Sequence, residues 1–263
     1  MENRAIYQPK GAAREYSRWA CNLYNGCSNR CDYCYCRRGI LAHTLGVDEP
    51  VLKKSVGRTP KDAFETFSKE LALYGRYIVR DGTGLFFSFS TDPMLPHELP
   101  LTVKCVGECV DKDVPVQILT KESYWVFGVN DFIDNLFSKW YERNIRIGFT
   151  LTGHDELEPE ADSNNSRMVA CLYLMHNGVD TFISLEPVVD FKSSLSVIRT
   201  FTDDYKTCPP EFRIGLMSGV DKEKYYNREE CGAFISEVKK LAAENDFAVK
   251  WKDSIVKYYK KSV

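Results

Sequence analysis

Cys27, Cys31 and Cys34 are spaced C-x3-C-x2-C, and Tyr33 stands immediately before the third. Three thiolates can hold three irons of a cubic 4Fe–4S cluster, whereas a cluster built only for electron transfer normally has four protein ligands. A missing ligand leaves one iron open to a small molecule, by the logic that separates catalytic from structural zinc. The spacing therefore points to binding chemistry at iron. The alternative is a zinc site, which would want a fourth ligand, and Cys36 or Cys21 could supply it.

The motif resembles that of the radical S-adenosylmethionine (radical SAM) enzymes. Within it, Asn22-Leu23-Tyr24-Asn25-Gly26-Cys27 through Tyr35 resembles the branch that contains spore photoproduct lyase. The resemblance implies a 4Fe–4S cluster on Cys27, Cys31 and Cys34 with SAM at the open iron. It implies an external one-electron reductant of flavodoxin or ferredoxin type, and a 5′-deoxyadenosyl radical that takes hydrogen from a substrate. A nucleic acid or nucleotide substrate is implied only through the lyase branch. Tyr33 is similar to the family's aromatic residue near the adenine. Tyr33 and Tyr35 together resemble a tyrosine pair of the lyase that is proposed to pass a hydrogen atom. On its own residue type, Tyr35 reads equally well as packing.

Parallel α/β sheets bind ligands at the carboxyl ends of their strands, so further chemistry is expected there. Ser90, Thr91 and Asp92 follow an apolar run, where most radical SAM enzymes hold a Gly-Gly-Glu-like run for the SAM amino group. An ammonium needs acceptors, and a carboxylate with two hydroxyls supplies them. Asp92-Pro93 equally suits a turn or a helix N-cap. The lyase carries a cysteine two residues before its SAM-binding serine, and here that position is Ser88. An O–H bond is far harder to break homolytically than S–H, so thymine-dimer repair by the same route is not expected. Cys36 could stand in only if the fold brings it close.

Lys121 matches a lysine of the lyase branch that contacts SAM, with a solvated loop lysine as the alternative. Thr150 and Thr152 share one face at period two. Arg167 could pair with the SAM carboxylate or with Glu158 or Asp162 at the surface. His154 could serve as a substrate acid or base. Glu186 ends an otherwise apolar strand, where a carboxylate is costly unless it binds something, so it is expected to face the active site. Met217-Ser218-Gly219 is small enough for close approach of a ligand.

The elements that must position these groups alternate. Strands are expected at Trp19–Tyr24, Leu85–Ser90, Val116–Thr120, Ile145–Leu151, Thr181–Leu185 and Phe212–Met217, with a short seventh at Phe247–Trp251. Between them lie helical stripes: Phe64, Phe67, Leu71 and Tyr74; Leu99, Val103, Val106 and Val110; Phe132, Leu136 and Trp140; Met168, Leu172 and Met175; Leu195, Ile198 and Phe201; and Cys231, Phe234, Val238 and Leu241. Thr59-Pro60 with Asp62 reads as a capped helix start, and Gly178 as a C-cap glycine. Such alternation implies right-handed crossovers and a parallel sheet. Six units are too few for a closed eight-fold barrel, so an open (β/α)6 partial TIM barrel of the radical SAM type is expected. Residues 1–15 read as an N-terminal extension packed near the cluster mouth, with Lys10-Gly11 as a turn. Residues 16–263 read as one domain that ends in a C-terminal helix.

The 263 residues are 44% hydrophobic, enough to bury a core. A net charge of −2 gives no global basic field toward nucleic acid. Lys250, Lys252, Lys257, Lys260 and Lys261 form a local cluster, read as a solvated helix face. Were they instead a nucleic-acid surface, binding would depend on salt. The polar N-terminus and the lack of a membrane-length apolar run suggest a cytoplasmic protein without membrane partners. There, ten cysteines are expected to stay reduced. Clustering of Cys21, Cys27, Cys31, Cys34 and Cys36 favours metal over disulfides. Two functions from different classes follow: a radical SAM enzyme, or a non-catalytic zinc or iron–sulfur module.

Overall fold

The computed structural model describes residues 5–39, 42–127 and 145–260. Ten strands run in chain order: β1 Ile6–Tyr7, β2 Trp19–Cys21, β3 Tyr24–Asn25, β4 Val51–Leu52, β5 Leu85–Phe87, β6 Val116–Thr120, β7 Ile145–Thr150, β8 Asp180–Val188, β9 Glu211–Leu216 and β10 Ala248–Trp251. The longer helices are α1 Pro60–Asp81, α2 Leu99–Asp111, α3 Asn164–His176, α4 Phe191–Arg199, α5 Arg228–Asn245 and α6 Asp253–Lys260. The main sheet has the order β1-β2-β5-β6-β7-β8-β9-β10. Every neighbour from β2 to β10 is parallel, and β1 alone is antiparallel. Spatial order follows chain order, so each crossover adds its strand on the same side, which is how an open partial barrel grows.

Alternation along the strands sorts side chains between two cores. Leu85 and Phe87, Val116 and Ile118, and Ile147 and Phe149 join the core beneath the helices. Phe86 and Phe182 point the other way and pack with Tyr16 and Ala20 inside the curve. Gly148 also faces inward, where an added Cβ would overlap the Phe182 ring. Arg213 lies on the same floor, its guanidinium 3.8 Å from the Phe182 ring centroid. Strand-end residues of the same parity as Phe86 and Phe182 thereby reach the open mouth, Ser88 and Glu186 among them, while Ser184 stays buried against the Tyr16 hydroxyl.

Local signals set the helix starts. Thr59 Oγ1 accepts from the Asp62 N–H, and Asp62 returns the bond to the Thr59 N–H, with Pro60 at the first position. Gly82 closes this helix at φ 70°. Of the expected stripe, Phe67 and Leu71 are buried, while Phe64 and Tyr74 pack at its margin. Gly178, at φ 76°, follows α3 as expected. The stripe Phe132, Leu136 and Trp140 lies outside the described residues.

The first expected strand is divided. β2 stops at Cys21, and Tyr24–Asn25 leaves the sheet to pair antiparallel with Val51–Leu52. This side ribbon carries the chain out to the cysteine loop. Gly26 makes the exit at φ 89°, where a Cβ would meet the Glu49 carbonyl at 2.6 Å. At the N-terminus, Ile6–Tyr7 extends the main sheet, and Gly11–Glu15 forms a 3-10 turn. Among the described residues no helix is long and apolar enough to cross a membrane.

Two glycines should respond to alanine with opposite signs. Gly148→Ala overpacks the inner floor and should cost roughly 1–3 kcal/mol. Gly107→Ala, in mid-helix with no atom near its new Cβ, should stabilise by roughly 0.5–1 kcal/mol. Urea unfolding of the two variants measures both.

Candidate active site

One cavity of about 440 Å³ opens at the carboxyl end of the sheet. Cys27, Cys31, Tyr33, Cys34, Tyr35, Ser90, Thr91, Asp92, Lys121 and Glu186 all line it, as do Ser88 and Cys36. Ten of the eleven residues expected at the site from sequence are thus brought together. The eleventh, Arg167, is not among the lining residues.

The cysteine loop is held from three sides. The Cys27 N–H donates to the Val47 carbonyl at 3.1 Å, and the Asp32 N–H to the Leu157 carbonyl at 3.0 Å. Asn29 donates to Asp92 at 3.2 Å. Cys31 is buried, while Cys27 and Cys34 are partly open. Burial, with the charge of Asp92 nearby, pushes the Cys27 thiol up to about 12, and burial raises Cys31 as well. Cys34 moves the other way, to about 6, the neighbouring Cys36 thiol being the largest cause. Cys36 is itself buried, with its sulfur 3.6 Å from the Phe89 carbonyl.

Asp92 departs from the expected role. Its carboxylate accepts from Thr120 Oγ1 at 2.6 Å, the Lys121 N–H at 2.7 Å, the Met94 N–H at 3.0 Å and Asn29 Nδ2 at 3.2 Å. Two donors on each oxygen fill the acceptor sites that an incoming ammonium would need. Asp92 therefore ties the ends of β5 and β6 to the cysteine loop, with the turn geometry weighed for Asp92-Pro93. Burial pushes its carboxyl above the ordinary value in spite of these bonds. Ser90 donates to the Tyr24 carbonyl at 2.5 Å, which leaves its oxygen able to accept, and Ser88 donates to the Thr91 carbonyl at 2.7 Å. Thr91 Oγ1 and Asn29 Oδ1 are buried and have no hydrogen-bond partner among the described residues.

Arg167 corrects a second expectation. It pairs with Glu158, one of the two partners weighed for it, but both side chains are fully buried, so the pair is not at the surface, and Arg167 does not line the cavity. Its other Nη donates to the Thr150 carbonyl at 2.5 Å. Glu158 in turn accepts the Tyr33 hydroxyl. Burial, with the Glu158 charge beside it, holds the Tyr33 phenol well above its usual range. Lys121 Nζ lies 5.5 Å from the Tyr33 ring centroid. Burial works against its charge, but Cys31 and Glu158 outweigh that and raise it. Thr150 lines the cavity, whereas Thr152 turns back to accept the His154 N–H. His154 lies away from the cavity between Asp190 and Glu156, at 2.6 Å from each.

The opposite wall holds groups that sequence reading missed. Glu186 accepts the Tyr16 hydroxyl at 2.6 Å and meets Lys252 Nζ at 3.1 Å. Lys252 is buried, which corrects the solvated-face reading for this lysine; Lys250, Lys257 and Lys260 are exposed. Lys252 also donates to the Ala12 carbonyl at 3.1 Å and sits 3.7 Å from the Tyr16 ring centroid. Gly215 makes room for the pair: a Cβ there would stand 2.9 Å from Glu186 Oε1. Lys252 follows β10 directly, so the strand-end rule could have found it. Nothing in the spacing marks Tyr16. Tyr35 is half exposed, with its hydroxyl on the Phe89 carbonyl.

No family model matches the chain. The uncharacterised protein MJ0683 of Methanocaldococcus jannaschii is 22% identical over 252 residues, which cover 89% of each chain. Spore photoproduct lyase complexed with dinucleoside spore photoproduct superposes with a TM-score of 0.65 at 13% identity, over 93% of this chain and 80% of that one. A variant of the lyase with bound AdoMet and the dinucleoside photoproduct gives 0.63 at 14% identity, over 92% and 78%. Streptococcus suis SuiB bound to precursor peptide SuiA gives 0.58 at 12% identity, over 92% of this chain and half (50%) of SuiB. These likenesses show the fold, an open parallel partial TIM barrel of the radical SAM type, and the resemblance read from the cysteine motif agrees with it.

The thiols should be separable by reactivity in the reduced, metal-free chain. A lowered Cys34 is thiolate above pH of about 6, so at pH 7 iodoacetamide should modify it ahead of Cys27 and Cys31. Cys36→Ala removes the thiol that lowers it and should move the Cys34 midpoint upward. Peptide mass spectrometry across pH 5–9 reads both, and equal midpoints in the two proteins would contradict the assignment.

Proposed function

We propose that the chain is a radical SAM enzyme that carries a 4Fe–4S cluster on Cys27, Cys31 and Cys34 and binds SAM beside it. The observation that carries the reading is the shared cavity: all three cysteines face it at the carboxyl end of a parallel sheet, beside Ser90, Thr91 and Lys121. Its volume falls within the roughly 300–1,000 Å³ usual for small-molecule sites. The residues present fit the two groups. Three thiols come from one loop, and two buried polar atoms beside them, on Thr91 and Asn29, await partners.

When bound, the reduced cluster and SAM supply a 5′-deoxyadenosyl radical, which can take hydrogen from an unactivated C–H bond. The chain's own part is to hold and shield. Thr91 and Asn29 offer acceptors to the SAM ammonium, and Lys121 offers its carboxylate a cation. Asp92 and Ser90 fix the strand ends that carry these groups. Tyr33 and Tyr35 wall the loop side. Glu186, braced by Tyr16 and Lys252, faces the substrate from the other wall. The electron comes from an external reductant of flavodoxin or ferredoxin type.

A nucleotide or nucleic acid is the substrate class favoured by the lyase likeness, since that relative was solved with a dinucleoside photoproduct. Ser88 separates this chain from lyase-type dimer repair. The alternative, a non-catalytic zinc or iron–sulfur module, has less support. A four-cysteine cluster would require Cys36 to leave the Phe89 carbonyl.

Anaerobic reconstitution should load about four irons per chain. Dithionite with SAM should then release 5′-deoxyadenosine and methionine, read by chromatography. Alanine at Cys27, Cys31 or Cys34 should abolish both loading and cleavage. A fully loaded protein that binds SAM and never cleaves it would sink the proposal.

A further inference from the structure

We propose that Glu158 is a positioning residue for the cysteine loop, acting through Tyr33 and fixed in turn by Arg167. The loop meets the 155–158 turn twice. The Asp32 N–H bonds the Leu157 carbonyl at 3.0 Å, and one residue on, the Tyr33 hydroxyl bonds Glu158. Tyr33 lies between Cys31 and Cys34, so this second tie sets where both thiols stand.

The geometry behind Glu158 is that of a fixed anchor. Glu158 and Arg167 side chains are both fully buried and paired. Glu158 also takes Asn164 Nδ2 at 3.4 Å. Arg167 reaches the Thr150 carbonyl at 2.5 Å and the Ser163 carbonyl at 3.4 Å. Asn164 Oδ1 accepts the N–H groups of Thr152 and Gly153 at 2.9 and 3.0 Å. The start of α3 thus organises the loop after β7, and that loop presents one carboxylate oxygen to Tyr33. A hydrogen bond to a buried carboxylate is among the stronger ones. Arg167, which the sequence offers as a SAM ligand, acts one step further back, through Glu158 and Tyr33.

The test begins on the reduced, metal-free chain, so it is independent of the radical SAM reading. Cys31 alkylation by iodoacetamide is followed by mass spectrometry, with the core thiol Cys105 as reporter of global opening. Tyr33→Phe keeps the ring and removes the tie; Cys31 should react roughly tenfold faster, with Cys105 unchanged. A single Arg167 variant would strand a buried carboxylate and could unfold the chain, so the anchor is replaced as a pair. E158L/R167M should behave like Tyr33→Phe. E158Q/R167Q keeps an acceptor for Tyr33 and should stay within about threefold of the parent. Unchanged Cys31 in Tyr33→Phe and E158L/R167M overturns the proposal, as does a parallel rise of Cys31 and Cys105. In the reconstituted protein, Tyr33→Phe should lose iron to a chelator roughly tenfold faster and shift the electron paramagnetic resonance spectrum of the reduced cluster. A parent chain that takes up no cluster defeats the function proposed above, while the alkylation series still decides the role of Glu158.

Discussion

A carboxylate withdrawn from water costs several kcal/mol unless donors replace the water it loses. Three at the open end of this sheet, Asp92 and Glu158 buried and Glu186 partly so, are met by such donors. Asp92 is met by Thr120, Lys121, Met94 and Asn29. Glu158 is met by Arg167, Tyr33 and Asn164, and Glu186 by Tyr16 and Lys252. Each joins segments far apart in the chain, so each can be satisfied only when the whole mouth has assembled. The cysteine loop has little regular structure of its own, and two of the three carboxylates reach it directly.

The same saturation divides the site into frame and opening. Groups already bonded within the protein cannot also take a ligand at no cost, which removes Asp92 and Arg167 from direct contact roles. What remains at the cavity is a set of thiols and the Lys121 ammonium, with two buried polar atoms on lining residues that have no partner among the described residues. Such a division is typical of preorganised sites, where buried neighbours fix the residues that meet the ligand. Across the cavity, Lys252 performs a comparable task. It joins the end of β10 to the N-terminal turn through the Ala12 carbonyl, so the two margins of an open sheet are connected beside the site.

Fold and site were unequally legible in the sequence. The parallel strands from β5 onward fall within a few residues of their expected ranges, because period-two alternation and punctuating glycines are local signals. The cysteine loop was legible because three ligands for one cluster must lie close in sequence. Lys252, and the burial of the Arg167–Glu158 pair, were misread for the opposite reason. A charged side chain looks solvated until its partner is known, and Lys252 meets a carbonyl 240 residues away. Asp92 was identified as a site residue but given the wrong role, since its acceptor sites are filled by donors from three segments. Tyr16, ahead of β2, leaves no trace in spacing at all. The division of Trp19–Tyr24 into two strands also escaped notice: alternation marks an extended chain, and it does not say which sheet the chain joins.

The strand end at Ser88 bears on the last step of any lyase-like reaction proposed for this cavity. Its hydroxyl donates to the Thr91 carbonyl, so this residue is bound into the turn that shapes the cavity, besides lacking a weak S–H bond. The lining thiol outside the C-x3-C-x2-C motif is Cys36, near the carbonyl of the residue after Ser88. Cys36 also stands two residues from Cys34 and lowers its titration, so moving its hydrogen would change the surroundings of a proposed cluster ligand. A thiol placed in that way is coupled to the loop rather than independent of it. The chemistry open to this cavity is therefore constrained by its own architecture: hydrogen abstraction needs only the shared lining, whereas a lyase-like return of hydrogen would have to draw on a group already engaged in holding the site together.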